Sequence, residues 1–255
     1  MAKVVLITGA TSGFGFSCAR RFADAGWKLV LIGRRLERLE KLQIELSAKT
    51  AVHIIQLDVR QRKAVQVAIE NLPAEFKTVD VLVNNAGLAL GLESAYQADL
   101  DDWETMIDTN IKGIVYMTRA VLPLMVARGK GHIVNIGSIA GSWPYQGGNV
   151  YGATKAFVAQ FSRNLRADLV GKSIRVTNIE PGFAETEFSL VRFKGDQERA
   201  RQVYKDCQPL TATDIAEIIY WVVNQPEHVN INRVEVMPTC QTWSSIVVHR
   251  EPSSC

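Results

Sequence analysis

Apolar residues follow two alternating rhythms along this chain. Short, nearly unbroken runs occur at Val4–Ile7, Lys28–Ile32, His53–Leu57, Asp80–Val83, His132–Ile136 and Ser173–Ile179. Runs of this length, rich in Val, Ile and Leu, mark parallel strands covered on both faces. Between them, apolar positions recur at helical spacing. Cys18, Ala19, Phe22 and Ala23 share one helix face, with Gly26 as terminator. Further helices are predicted over Leu36–Leu46, Val65–Leu72, Asp102–Arg128, Tyr151–Leu169 and Thr211–Val223, the last opening on capping-box spacing. Arg233–Met237 reads as a final strand. The alternation predicts an α/β fold, a Rossmann-type doubly wound parallel sheet. No repeat, linker or low-complexity segment interrupts it, so residues 1–255 form a single domain.

Two places break the rhythm. Residues 183–209 are charged, with scattered aromatics, and fall at the carboxyl ends of the strands. Such a segment is a substrate lid, or else a solvated helix pair. Asn110 interrupts the apolar stripe of Trp103, Met106, Ile107, Ile114, Val115 and Met117. It is either tolerated there or marks a kink with its side chain turned inward. Residues 240–255 form a tail.

Composition narrows the function. A net charge of +3 is too small to imply a nucleic-acid or strongly anionic membrane partner. No apolar run approaches the ~20 residues of a membrane span. The chain enters its first strand directly after Met-Ala-Lys, with no signal-peptide pattern, so a cytoplasmic location is expected. Cys18, Cys207, Cys240 and Cys255 show no C-x-x-C and no His at ligand spacing, so no metal is expected.

The chemistry collects at strand ends. Thr8–Gly15 reads TGATSGFG between a strand and an amphipathic helix. Its glycines let the backbone approach a pyrophosphate at the helix N-terminus. The candidate cradle is Gly9, Thr11, Ser12, Gly13, Phe14 and Gly15. The second strand ends at Gly33-Arg34-Arg35, lacking the acid that would bind a ribose 2′-hydroxyl. Arg34 and Arg35 favour a 2′-phosphate, hence NADP(H), over two merely exposed cations. Asp58 and Val59 are placed to meet an adenine, and Asn85, Ala86 and Gly87 to lie against the cofactor. Ser138 follows the fifth strand, while Tyr151 and Lys155 are one helical turn apart. A lysine ammonium favours phenolate and lowers a tyrosine pKa, and the serine hydroxyl can hold the same substrate oxygen.

With these motifs in this order, and with P-G-x-x-x-T at Pro181, Gly182 and Thr186, the chain resembles the short-chain dehydrogenase/reductase family over nearly its whole length. The runs WETMIDTNIKGIVYMTRAVLP, GSWPYQGGNVYGATKAF and VRFKGD are similar to its NADP-dependent 3-hydroxy acid dehydrogenases, also described as malonic-semialdehyde reductases, and to its sulfoacetaldehyde reductases. Between Pro181 and Phe188 the chain reads PGFAETEF, where the hydroxy-acid group carries a slightly longer, glycine-containing stretch. The resemblance implies Tyr151 as acid/base, Lys155 on the nicotinamide ribose, Ser138 on the carbonyl oxygen and Asn110 supporting a relay water. It also implies a homotetramer pairing the helices Asp102–Arg128 and Tyr151–Leu169. The expected substrate is a small anionic aldehyde or its alcohol, a 3-hydroxy acid or a sulfonate. The alternatives are a β-ketoacyl or bulky-ketone reductase and a non-catalytic NADP-sensing scaffold. The anionic head is assigned to Arg192 first and Lys194 second, with Arg250 of the tail as a rival from a neighbouring subunit.

Overall fold

Seven parallel strands form the centre of the computed structural model, which describes residues 2–243. They are β1 (Val4–Thr8), β2 (Lys28–Gly33), β3 (Val52–Gln56), β4 (Val79–Asn84), β5 (Gly131–Ile136), β6 (Ile174–Pro181) and β7 (Arg233–Val236). Their spatial order is β3-β2-β1-β4-β5-β6-β7. The chain therefore reverses direction across the sheet between β1 and β4, where a crevice opens at the carboxyl ends of the strands.

The unbroken apolar runs are explained by burial on both faces. Val5, Ile7, Leu29 and Leu31 face α1 (Gly13–Asp24), α2 (Leu36–Ser47) and α9 (Ala212–Val223). Their neighbours Val4, Leu6, Val30 and Ile32 face α3 (Arg62–Glu70), α5 (Gly113–Arg128) and α6 (Asn149–Asp168). Successive side chains of a strand point to opposite faces, so both sets must be apolar. The capping box at Thr211 is formed, its hydroxyl accepting from the Asp214 amide while the Asp214 carboxylate accepts from the Thr211 amide.

The long helix expected over Asp102–Arg128 is divided. α4 (Leu100–Ile107) and α5 are joined by a π turn, Asp108–Lys112, with Asn110 at its middle. A π turn inserts an extra residue per turn and so shifts the phase of the apolar stripe. Met106, Ile114 and Met117 are buried, whereas Ile107 is 37% exposed. Of the two readings of Asn110, the structure supports the local distortion with an inward side chain, which is 3% exposed.

Residues 183–209 hold two short helices, α7 (Phe188–Arg192) and α8 (Gln197–Gln202), pinned at their base by a bridge between Ala184 and Leu210. Cys207 at the end of this segment is disulfide-bonded to Cys240 beyond β7, a link the scattered cysteine spacing did not predict. Cys18 is fully buried, as a small apolar residue of the core.

Candidate active site

The crevice is a cleft of about 290 Å³ running from Arg34 and Arg35 to Tyr151 and Lys155. Its floor is made by backbone. Gly9 adopts φ of 67°, and a Cβ added at Gly15 would lie 2.4 Å from the Gly9 carbonyl oxygen. The Thr8 hydroxyl accepts from the Asn85 and Ala86 amides, each at 3.0 Å. In return the Asn85 side-chain amide donates to the carbonyls of Thr8 and Gly9, at 2.9 and 3.2 Å. The loops after β1 and β4 are thus tied into one surface. Gly9, Thr11, Ser12, Gly13, Phe14, Asn85, Ala86, Gly87, Pro181, Gly182 and Thr186 all line the cleft. Gly15 does not line it, but its missing Cβ permits the close turn.

At one end of the cleft stands a cluster of guanidiniums. Arg35 donates to the Thr11 hydroxyl through Nε and Nη2, and to the Ser12 hydroxyl at 2.8 Å. Its Nη1 lies 3.0 Å from the Glu187 carboxylate, which also accepts from Arg38 Nη1 at 2.7 and 2.9 Å. Arg34 is exposed and lines the cleft beside these groups. Neither Arg38 nor Glu187, one of the charges of residues 183–209, is among the expected site residues. Arg38 carried a signal, because Arg35 and Arg38 are i, i+3 at the start of α2, where the helix dipole disfavours cations unless an anion is bound. Nothing in the sequence marked Glu187. A pyrophosphate with a 2′-phosphate fits this cradle, since the glycine turn is open and two guanidiniums already hold a carboxylate. Asp58 and Val59 line the cleft as expected, but the Asp58 carboxylate is engaged by Arg60 at 2.6–3.0 Å.

At the other end, α6 presents Tyr151 and Lys155 side by side, both buried. The helix is fixed to the sheet by a polar chain in which Asn135 donates to Ser162, and Asn84 to Asn135. Lys155 Nζ donates to the Ile136 carbonyl oxygen at 2.8 Å, and burial holds its pKa at about 8. Burial pushes the Tyr151 phenol up to about 12, while the Ser138 hydroxyl and Arg192 act in the opposite direction. Lys155 Nζ lies 5.8 Å from the Tyr151 ring centroid, the neighbourhood in which its ammonium is expected to favour the phenolate. The same ammonium donates to the Ile136 carbonyl, and the Ser138 hydroxyl and Arg192 also favour the phenolate. Ser138 itself accepts from the Ala140 amide at 3.1 Å and lines the cleft beside Tyr151. Asn110 exchanges two hydrogen bonds with the Leu88 backbone and donates to Thr154. A Cβ on Gly87 would lie 3.2 Å from Asn110 Oδ1 and 3.6 Å from Lys155 Nζ, so both flank the same glycine.

Of the two cations of residues 183–209 assigned to the substrate, Arg192 stands beside Tyr151, behind the cleft lining formed by Phe188 and Val191. The Arg192 guanidinium lies 5.3 Å from the Tyr151 ring centroid and 5.6 Å from that of Tyr145, and it donates to the Tyr145 hydroxyl. Its Nε is buried without a partner. Lys194 is a correction. It takes a positive φ of 51° and pairs with Asp102 at 2.9 Å, exposed and away from the cleft. The Arg-Phe-Lys spacing could not reveal that turn. Tyr145, which neither spacing nor motif singled out, joins Arg192 beside Tyr151. Arg250 and most of the tail lie outside the described residues.

Comparison with known proteins places the chain among dehydrogenases. Residues 3–197 match the short chain dehydrogenase family. The chain is similar to the NADP-dependent 3-hydroxy acid dehydrogenase YdfG of Salmonella typhi, with 60% identity over 97% of this chain and 99% of that protein. It is also similar to sulfoacetaldehyde reductase 2 of Chromohalobacter salexigens, with 58% identity over 98% and 100% of the two chains. Among solved structures, the closed form of a serine dehydrogenase complexed with NADP+ superposes with a TM-score of 0.94. It is 57% identical and covers 97% of this chain and 100% of that one.

Proposed function

Because this chain belongs to the short-chain dehydrogenase family and is an oxidoreductase of that family, we propose that it interconverts a small anionic aldehyde or ketone and its alcohol with NADP(H). The observation that carries the anionic reading is Arg192, a guanidinium with an unpartnered buried Nε directly above Tyr151. A planar guanidinium binds carboxylate or sulfonate through two parallel hydrogen bonds. The 3-hydroxy acid and sulfoacetaldehyde relatives have substrates of this kind by name.

In the proposed mechanism Tyr151 gives its proton to the carbonyl oxygen in reduction and takes it back in oxidation. Ser138 holds that oxygen from a second side. Lys155 and Asn110, which both flank Gly87, hold the nicotinamide ribose and the water that relays protons to Lys155. Leu88, Phe188 and Tyr145, packed around Tyr151, exclude bulk water. Arg34, Arg35 and Arg38 hold the 2′-phosphate. NADPH, when bound, supplies the hydride. A bulky-ketone reductase is disfavoured by Arg192 and Phe188, which close over the tyrosine. A non-catalytic scaffold is disfavoured by the retention of Ser138, Tyr151 and Lys155.

A homotetramer and a cytoplasmic location complete the proposal. The half-buried, stacked pair Phe157 and Phe161 on α6 supports pairing of that helix between subunits. The Cys207–Cys240 disulfide runs against the cytoplasmic location, because such links are rare in a reducing cytosol. No helix among the described residues is long and apolar enough to cross a membrane.

Arg192→Ala tests the substrate class. It is expected to raise KM for an anionic aldehyde at least about tenfold, roughly 1.5–3 kcal/mol for a lost charge-assisted pair. An uncharged aldehyde of equal size should be nearly unaffected. Equal effects on the two would overturn the anionic reading.

A further inference from the structure

Glu187 sits at an unusual place for a carboxylate. Both of its oxygens accept from Arg38, and one also accepts from Arg35. Arg35 is in turn held by Thr11 and Ser12 of the glycine-rich turn. The lid thus inserts an anion between the guanidiniums that the cofactor reading gives to a 2′-phosphate. Burial alone would raise the Glu187 pKa, but the hydrogen bonds from Arg38 and Arg35 outweigh it, so the group is charged at neutral pH.

Glu187 also immediately precedes α7. Phe188, the first residue of that helix, packs edge-on against the Tyr151 ring, with centroids 5.6 Å apart. Arg192, the last, lies over the same ring. One short helix therefore has its leading carboxylate in the phosphate site and its trailing guanidinium at the substrate site.

From this juxtaposition we propose that Glu187 is a latch, a stand-in for the 2′-phosphate that holds the lid in the ligand-free enzyme and is displaced when NADP(H) binds. The inference rests on the NADP(H) reading above. The exchange runs in the right direction. The ion pairs of Glu187 with Arg35 and Arg38 are about two-fifths exposed on each side, a setting in which such contacts contribute little. A phosphate brings up to two charges and three acceptor oxygens to the same guanidiniums. A cofactor without the 2′-phosphate has no group to displace the carboxylate and leaves the latch engaged. The 2′-phosphate then does more than add affinity. It resets the segment that carries Arg192, so that cofactor choice and substrate recognition are coupled through α7.

The test uses the full chain and two probes, 2′,5′-ADP, which carries the 2′-phosphate without a nicotinamide, and 5′-ADP, which lacks it. Glu187→Gln should tighten 2′,5′-ADP at least about threefold by calorimetry and leave 5′-ADP unchanged. Amide hydrogen exchange over residues 183–195 should be faster in ligand-free Glu187→Gln than in wild type. It should also change in wild type with 2′,5′-ADP and not with 5′-ADP. If wild type prefers 2′,5′-ADP but Glu187→Gln alters neither its affinity nor the exchange, the latch is overturned while the phosphate reading stands. If wild type binds both probes equally, the phosphate reading fails and the latch fails with it.

Discussion

Tyr151→Phe is expected to lower turnover at least ~100-fold, the usual scale for losing a positioned proton donor, while leaving NADPH affinity close to that of wild type. The phenol is buried at the meeting point of α6, the Ser138 loop and the lid, and its ring packs against Phe188 and Arg192. Phenylalanine keeps that packing and removes only the proton. Because burial pushes the phenol up to about 12, it carries its proton at neutral pH, ready for carbonyl reduction. Oxidation of the alcohol needs the phenolate, so its rate should rise with pH in wild type, and the variant should lose that rise. Steady-state kinetics in both directions, with cofactor binding measured separately, check both parts. Near-normal turnover in the variant would remove Tyr151 from the mechanism.

Replacing Arg35 and Arg38 together by Ala should weaken NADPH roughly ten- to a hundredfold, the scale of charge-assisted hydrogen bonds worth about 1.5–3 kcal/mol. NADH, without the extra phosphate, should change little. The estimate is for the pair together, because both side chains are 41–45% exposed and solvent discounts each. Arg35 matters through its fork, which reaches Thr11, Ser12 and Glu187 at once, and a lysine could not reproduce that geometry. Fluorescence titration with each cofactor separates the outcomes. Equal losses for NADPH and NADH would mean that these arginines stabilise the loop and do not read the phosphate.

Where the chemistry depends on local backbone, the sequence was sufficient. Gly9 must take a positive φ and Gly15 cannot carry a Cβ, so the turn after β1 declares itself in its glycines. Tyr151 and Lys155 are neighbours because a helix makes them so, and Ser138 is near because β5 ends beside α6. The strands were legible because burial on both faces makes them mostly apolar, with buried polar residues such as Asn84 and Asn135 few and hydrogen-bonded. Arrangements that depend on contacts between distant segments were not legible. Glu187 is 149 residues from Arg38, and only the folded lid brings them together. Lys194 lies two residues from Arg192 but points to Asp102, because Lys194 itself turns the chain out of the helix. The π turn at Asn110 left only a mediocre helix former as its trace, and Cys207 and Cys240, 33 residues apart, gave no sign of pairing.

The central claim is that NADP(H) and a small anionic carbonyl compound meet at Tyr151 beneath Arg192. The most direct test follows NADPH oxidation by the purified enzyme against malonic semialdehyde, sulfoacetaldehyde, an uncharged aldehyde of similar size and a bulky ketone, repeated with NADH. The account predicts kcat/KM at least about tenfold higher for one or both anions than for the uncharged aldehyde, consistent with one charge-assisted pair, and higher with NADPH than with NADH. Faster turnover of the bulky ketone, or no preference for anions, would contradict it.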